Sequence, residues 1–464
     1  MTIFLSEPSQ TEEPRRLGVR LKACWAVGAV GTVTMLIVVN IMLMYFMVTY
    51  LGINPATAGL IIAGTRLFDM VSDPLMGFVS DRTESRWGRR RPWMLLGALS
   101  SGLGCAVLFS VPNLPDGPPL IGYLVFALLF YFTAYTLFTV PFMAMSAEMT
   151  DDYNERTSIM SYRTFFSGVA GLVGMALAPT LVKFFGGDRA AYGWTGVAIG
   201  AIIMLVMLIS VFGTSDARFT DRTTVKLHWR DWMATLLKNR PFAMLLVIKA
   251  LAITGIACSA GGGMFFQSYI TGRAENGQAT LGLIQHLTTM GTIPLWLWVI
   301  YRTEKKWAII IALTVYGAAS VSWLASGPSE TDFIFILRGI GLGIGYGGIV
   351  LVSLSMLPDT ISNDFHATGM RREGIYAGLF AFIEKFTFVL APLIVGVILN
   401  MYGFVESRGS PIEQTAEGLR GVTISISIVP GILAFLGIPF AIMYDLNRKR
   451  VMSLSASLPT TPQV

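Results

Sequence analysis

Apolar runs long enough to cross a bilayer recur from one end of the chain to the other, and no other feature restricts the fold so severely. A membrane-spanning helix needs about 20 predominantly apolar residues. Such runs occupy 22–51, 56–80, 92–112, 119–147, 157–186, 191–213, 241–272, 278–301, 307–326, 331–357, 373–402 and 417–446, which makes twelve candidate spans. In hydrocarbon every backbone N–H and C=O needs a partner within the protein, so a spanning chain is a helix or a closed barrel. Barrel strands alternate apolar and polar residues over about 10 positions, whereas these runs are continuously apolar. The expected fold is an all-α membrane protein of twelve transmembrane helices. Only 13% of the 464 residues are charged, about half the share in an ordinary soluble domain.

The net charge of +6 does not point to nucleic acid, because the basic residues are sorted by loop. One alternate set of loops and termini holds Arg15, Arg16, Arg20, Lys22, Arg82, Arg86, Arg89, Arg90, Arg91, Arg156, the cluster from Arg218 to Arg240, Arg302, Lys305, Lys306, Arg371, Arg372 and Arg448–Arg450. The other holds Lys183, Arg189, Arg273, Arg408 and Arg420. Positively charged loops stay in the cytoplasm. Both termini are therefore expected there, in a multi-pass protein of the inner or plasma membrane. The polar N-terminal segment and the length of the first run do not read as a cleaved signal. Cys24, Cys105 and Cys258 are odd in number and scattered through apolar runs, so they read as small buried residues.

The charged stretch 214–240 divides the chain into residues 1–213 and 241–446, six spans each, with 447–464 a Ser/Thr/Pro-rich tail expected to be disordered. "SAEMTDDYNERTSIMSYR" (146–163) after the fourth span is echoed by "LPDTISNDFHATGMRREG" (357–374) after the tenth, Glu148 corresponding to Asp359. Same-orientation repeats of six helices are one way to build a transporter.

The stretch "RLFDMVSDPLMGFVSDRTESRWGRRRP" (66–92) puts charge inside the second span. On a helix Arg66, Asp69 and Asp73 share one face. Asp69 and Asp73 are an i,i+4 pair, about 6 Å apart at Cβ. Two such carboxylates need a positive charge beside them, or a proton on one. Arg66 can supply it, and so can a bound cation. The other reading is a structural ion pair to a neighbouring helix, but an ionisable residue within a span is costly and marks function first. In the loop that follows, Asp81, Arg82, Arg89 and Arg91 can pair with acids such as Glu148 or Asp359 as a gate, or simply set topology.

The motif "FDMVSDPLMG…DRTESRWGRRRPW", with "YTLFTVPF", "DDYNERTSIMSYR" and "REGIYAGLFAFIEKF", resembles the glycoside–pentoside–hexuronide:cation symporter family of the major facilitator superfamily. The resemblance covers both halves. It implies two six-helix bundles and transport of a small organic solute with Na⁺, H⁺ or Li⁺ by alternating access. It implies a cation site at Asp69, Ser72, Asp73 and Thr136, with Na⁺ held at Asp69 and Asp73 if sodium is the coupling ion. It also implies a coupling lysine at Lys385, near the bilayer midplane, where an acidic partner is required. Of the family's sugar-binding groups only the fifth-helix arginine is kept, as Arg163. The two sugar aspartates fall on Val33 and Thr139 and the two tryptophans on Met143 and Val350. A glycoside or uronide therefore competes with an amphiphile such as a lysolipid as the expected solute.

Lys249 and Arg338 lie within spans and either line a cavity or pair with a neighbour. Glu384 follows the midplane register of Lys385 but points about 100° away. Tyr135, Gln267 and Tyr269 are polar-tipped residues within spans and weaker candidates for contact with the solute. "GIGLGIGYGG" contains a formal GxGxxG at Gly343, Gly345 and Gly348 with no strand before it, so close helix packing is expected. His228, His286 and His366 show no ligand spacing. No clustered nucleophile, metal set or GxxxxGK[ST] phosphate loop appears, so neither an enzyme nor a primary pump is expected. A channel would more often need an oligomeric pore. The expected partners are a solute, a coupling cation and membrane lipid, with no cofactor and no nucleic acid, and the functional unit is a monomer.

Overall fold

The computed structural model describes residues 17–150, 152–215, 239–369 and 372–446. The expected tail lies outside these residues, as does nearly all of the middle loop. Twelve helical segments run through the described chain: α1 (Val19–Thr49), α2 (Pro55–Asp81), α3 (Arg91–Phe109), α4 (Pro118–Glu148), α5 (Tyr153–Leu172, carried through a π-helical turn to Ala178–Phe184), α6 (Arg189–Gly213), α7 (Arg240–Tyr269), α8 (Ala274–Gly291 and Ile293–Arg302), α9 (Lys305–Ser322), α10 (Asp332–Thr368), α11 (Glu373–Met401) and α12 (Ala416–Met443). Ten are long and apolar enough to cross a membrane, and the two pieces of α8, bent by 44°, make an eleventh span. The remaining helix, α2, has the length, 27 residues, but carries Arg66, Asp69 and Asp73 in its middle. The bend in α8 follows from Pro294 just past the break, since proline cannot donate to the preceding turn.

The helix starts are written in the sequence. Asn54 accepts a hydrogen bond from Ala56 N ahead of Pro55, Asp152 caps α5 through Glu155 N, and Asp188, Asn239, Thr331 and Thr415 do the same for α6, α7, α10 and α12. Such caps satisfy N–H groups that the helix itself leaves unpaired. One boundary differs from expectation. The tenth apolar run ends at 357, but α10 continues through Pro358 to Thr368 and stops at Gly369, in the left-handed region at φ 69°. Hydropathy locates the bilayer, while a helix continues beyond it wherever polar residues find partners. The proposed echo is therefore inexact in structure: Glu148 ends α4, whereas Asp359 lies well inside α10.

Within the first half α1 packs on α5 and α6, α3 on α4 and α6, and α2 on α4. In the second, α7 packs on α11 and α12, α9 on α10 and α12, and α8 on α10. The halves meet along α2–α11, α5–α8 and α1–α7. The formal GxGxxG is a packing face. A Cβ on Gly345 would lie 2.6 Å from the Tyr316 backbone, and one on Gly348 2.4 Å from the Trp296 ring. Cys24, Cys105 and Cys258 are free thiols.

The two faces differ. On the face away from the chain's ends, here the distal face, Ser407 N donates to Val48 O and Gly409 N to Tyr50 O, both at 3.1 Å. Leu51 and Arg408 form an antiparallel bridge. Arg408 pairs with Asp116 at 2.7 Å, and Asn54 donates to Asn400. The segment after α11 thus lies across the end of α1 and ties the halves together. On the opposite face, among the described residues, the ion pairs stay within one half: Lys22–Glu155, Arg89–Glu148, Arg90–Asp81, Arg90–Glu148 and Lys305–Asp359.

Candidate cation and solute site

At the α2–α11 contact, the i,i+4 spacing of α2 brings Asp69 and Asp73 to the same neighbours. Thr136 of α4 has one hydroxyl proton for two acceptors, Asp69 Oδ1 at 3.0 Å and Asp73 Oδ1 at 3.1 Å. Ser72 Oγ donates to Asp69 O and lies 3.3 Å from Thr136 Oγ1. Lys385 of α11 enters from the other half. Its Nζ is 3.0 Å from Asp69 Oδ2 and in closer contact with Asp73 Oδ2. Asp69 is buried, its side chain 5% exposed, while those of Asp73 and Lys385 are 25% and 33% exposed. The cluster therefore has one sealed wall and one wet side. The two carboxylates and the Ser72 and Thr136 hydroxyls form an oxygen-only set, the chemistry a small hard cation selects. The Lys385 ammonium contacts both carboxylates of this set.

Several expected residues sit elsewhere. Arg66 does not bridge the aspartates. Its guanidinium donates to Asn40 Oδ1 at 2.9 Å and lies over the rings of Phe132 and Phe388, in a buried position closed off from solvent. Asp69 still feels its charge, but the direct counter-ion is Lys385. Lys249 does not stand free in the cavity: it is buried and bound to Glu384 Oε2 at 2.8 Å and Phe380 O at 3.2 Å. Arg338 likewise pairs with Glu330 and stacks on Trp323. Of the gate residues, Glu148 takes Arg89 and Arg90, and Arg90 also takes Asp81. Arg82 and Arg91 pair with no acid among the described residues. Arg82 stacks on Phe78, and Arg91 donates to Val211 O. Asp359 takes Lys305 rather than an arginine of the 82–91 loop, because Lys305 also reaches Ser355 O on the same helix.

One functional candidate escapes the sequence. Arg90 is one of three consecutive arginines, and nothing in the string marks it as the buried one. The sequence turns Glu384 about 100° away from Lys385; the fold adds that its partner is Lys249 on α7. Arg163 on α5 is half-buried, its Nε lacks a hydrogen-bond partner, and it lies within the electrostatic reach of Tyr135 and Glu384. The Thr139 hydroxyl, one turn beyond Thr136, is also unpartnered. Val33, Met143 and Val350 are half-buried.

The comparisons agree with this architecture. The chain is 26% identical to the uncharacterized symporter YnaJ of Bacillus subtilis, covering 98% of this chain and 97% of that one. It is also 26% identical to the sodium-dependent lysophosphatidylcholine symporter 1-A of Danio rerio, over 96% and 88%. Among solved structures it superposes on the nucleoside transporter NupG with a TM-score of 0.62 at 12% identity, covering 94% of this chain and 99% of that one; this likeness speaks for the fold alone. Residues 24–448 match the family described as MFS/sugar transport protein. The chain belongs to that family of multi-pass membrane transporters.

Proposed function

We propose that the protein is a cation-coupled symporter that carries a small organic solute across the membrane by alternating access, with Asp69, Asp73, Ser72 and Thr136 holding the cation. The observation that carries this reading is the Lys385 ammonium lodged on both carboxylates. A cation entering the oxygen set must displace Lys385, and the released ammonium is then free to meet a solute in the cavity. Arg163 and Thr139, each with a buried polar atom lacking a partner, are the solute-binding candidates. Asp81, Arg89, Arg90 and Glu148 hold one side of the gate. The distal face corresponds to the cell exterior and the termini to the cytoplasm, from the sorting of basic residues, so the state described opens inward. The protein acts in transport rather than bond chemistry, as a monomer, with no cofactor.

The solute is one with an anionic group and apolar surface, either an acidic glycoside or an amphiphile. The family description names sugar, while Val33, Met143 and Val350 stand at positions where a sugar would need polar or aromatic groups. The Danio rerio relative's name favours the amphiphile. Radioactive-sodium binding to the purified protein, with a pH series in parallel, tests the cation site. Binding or protonation that depends on Asp73 is expected, and Asp73→Asn should remove it while the protein stays folded. Cation binding unchanged in both Asp69→Asn and Asp73→Asn would leave only a structural ion pair. Binding across a panel of sugars, uronates and lysolipids, with and without the cation, then identifies the solute, and Arg163→Ala should weaken it more than it weakens the cation.

A further inference from the structure

One residue before Lys385, and at the same depth of α11, Glu384 belongs to a charge cluster that the cation site does not use. Its side chain is 53% exposed, yet it does not face lipid. Phe382 and Phe386, exposed and stacked on each other, each stand two positions from it, about 200° round the helix and so on the opposite side. Around Glu384 are the inner faces of both halves. It pairs with Lys249 of α7, and Tyr346 of α10 and Arg163 of α5 lie within its field. Arg163 belongs to the first half, so Glu384 lines the space between the halves. An ionisable group at this depth is costly unless it is paired or reaches a water-filled cavity, and Glu384 does both.

Lys249 has little left for a solute. Its side chain is buried, and its Nζ donates to Phe380 O and Glu384 Oε2 and lies 3.2 Å from the centre of the Phe380 ring. An ammonium carries three donors, and these contacts occupy it. Lys249 therefore fixes the direction of Glu384 and cancels its charge. Glu384 itself is underused. An ionised carboxylate offers about four lone-pair sites, and among the described residues its only donor is Lys249, at Oε2. A purely structural pair would be sealed at both ends, whereas here the base is sealed and the acid is open. The half-buried Tyr346 likewise makes no side-chain hydrogen bond among the described residues. On the other half, Arg163 Nε and the Thr139 hydroxyl lack partners. With Glu384 balanced by Lys249, Arg163 keeps its charge for an anion. A carboxylate already balanced by an ammonium is a poor cation site, but it remains a strong hydrogen-bond acceptor.

We propose that Glu384, held in place by Lys249, is a solute-recognition residue that accepts hydrogen bonds from hydroxyl groups, while Arg163 on the other half takes an anionic group. The solute is then a polyhydroxylated acid, such as a glycoside of a uronic acid. This rests on the symporter reading above and selects the acidic glycoside over the amphiphile, whose headgroup offers few hydroxyls. Lys249 acts through Glu384 as a positioning residue.

Calorimetric titration of the purified full chain in Na⁺-containing buffer tests this with methyl glycosides of glucuronic and galacturonic acid, each set against its monodeoxy analogues. At least one uronide should bind wild type. Removing the hydroxyl that meets Glu384 should weaken it on the order of 10- to 100-fold, the worth of a hydrogen bond to a charged acceptor. In Glu384→Gln the parent uronide should bind correspondingly less tightly, and the deoxy penalty should shrink. Glutamine keeps an acceptor for Lys249, and the double variant Lys249→Met with Glu384→Gln leaves no unpaired charge should the single variant fail to fold. Lys249→Met alone should also narrow the deoxy penalty, which loss of a merely structural pair would not do. The response of the melting temperature to Na⁺ or to pH reads the cation site, and it should be the same in wild type and Glu384→Gln. Its absence from wild type would fail the symporter reading and this inference with it. With that response intact, the inference alone is overturned if no uronide binds wild type, if the deoxy penalty is unchanged in Glu384→Gln, or if lysophosphatidylcholine below its micellar concentration binds in place of every uronide.

Discussion

At the scale of single residues, the site is two acids competing for one tethered base. Removing the ammonium by Lys385→Ala leaves Asp69 and Asp73 with Thr136 but no direct counter-ion, Arg66 acting only at a distance, so an external cation takes the place of Lys385. The expected outcome is a larger sodium-dependent rise in melting temperature than in wild type, with solute accumulation lost. Arg66→Gln acts differently, because Arg66 touches only Asn40 and two rings. Removing this charge, which lies within the field of Asp69 but is paired directly with no acid among the described residues, is read as a lower melting temperature that added sodium does not fully restore. Asp69 and Asp73 were legible as a pair from their i,i+4 spacing, whereas Thr136 and Lys385 were reached through the family resemblance. The partners of Arg66, Lys249 and Glu384 were not legible, since each is set by which helix happens to face it, and adjacency in the chain says nothing of that.

At the scale of helices, the decisive contact is α2 against α11. A Cβ on Gly59 would lie 2.4 Å from Pro392 O, and one on Gly396 2.5 Å from Pro55 O, so both backbones approach as closely as glycine permits. Gly59→Val should drive the distal ends apart. The expected result is faster maleimide labelling of a cysteine at Leu51 and a lower melting temperature, and labelling at the wild-type rate would show that the contact yields elsewhere. Span positions were readable from hydropathy because lipid imposes them. The reach of α10 to Thr368 was not, because Lys305 supports Asp359 from another helix, outside the bilayer signal.

At the scale of the whole molecule, the halves are joined at the distal face by main-chain hydrogen bonds and on the opposite face by none of the described ion pairs. Alternating access then requires the 407–409 segment to leave α1. Cysteines at Val48 and Ser407, whose backbones already meet, should cross-link under mild oxidation, stop uptake, and release it again on reduction. Uptake that continues through complete cross-linking would mean that the distal face opens along another seam.

The tethered ammonium has an electrical consequence. With Lys385 on the aspartates, Arg66, Lys385, Asp69 and Asp73 sum to zero, so the unloaded cluster adds no charge to the returning carrier. A bound Na⁺ makes the same cluster +1. The membrane voltage therefore works on the loaded stroke, supplying about 2.3 kcal/mol per 100 mV for each charge, equivalent to roughly 50-fold accumulation of a neutral solute. For a monoanionic solute the two charges cancel, and uptake would be driven by the cation gradient alone.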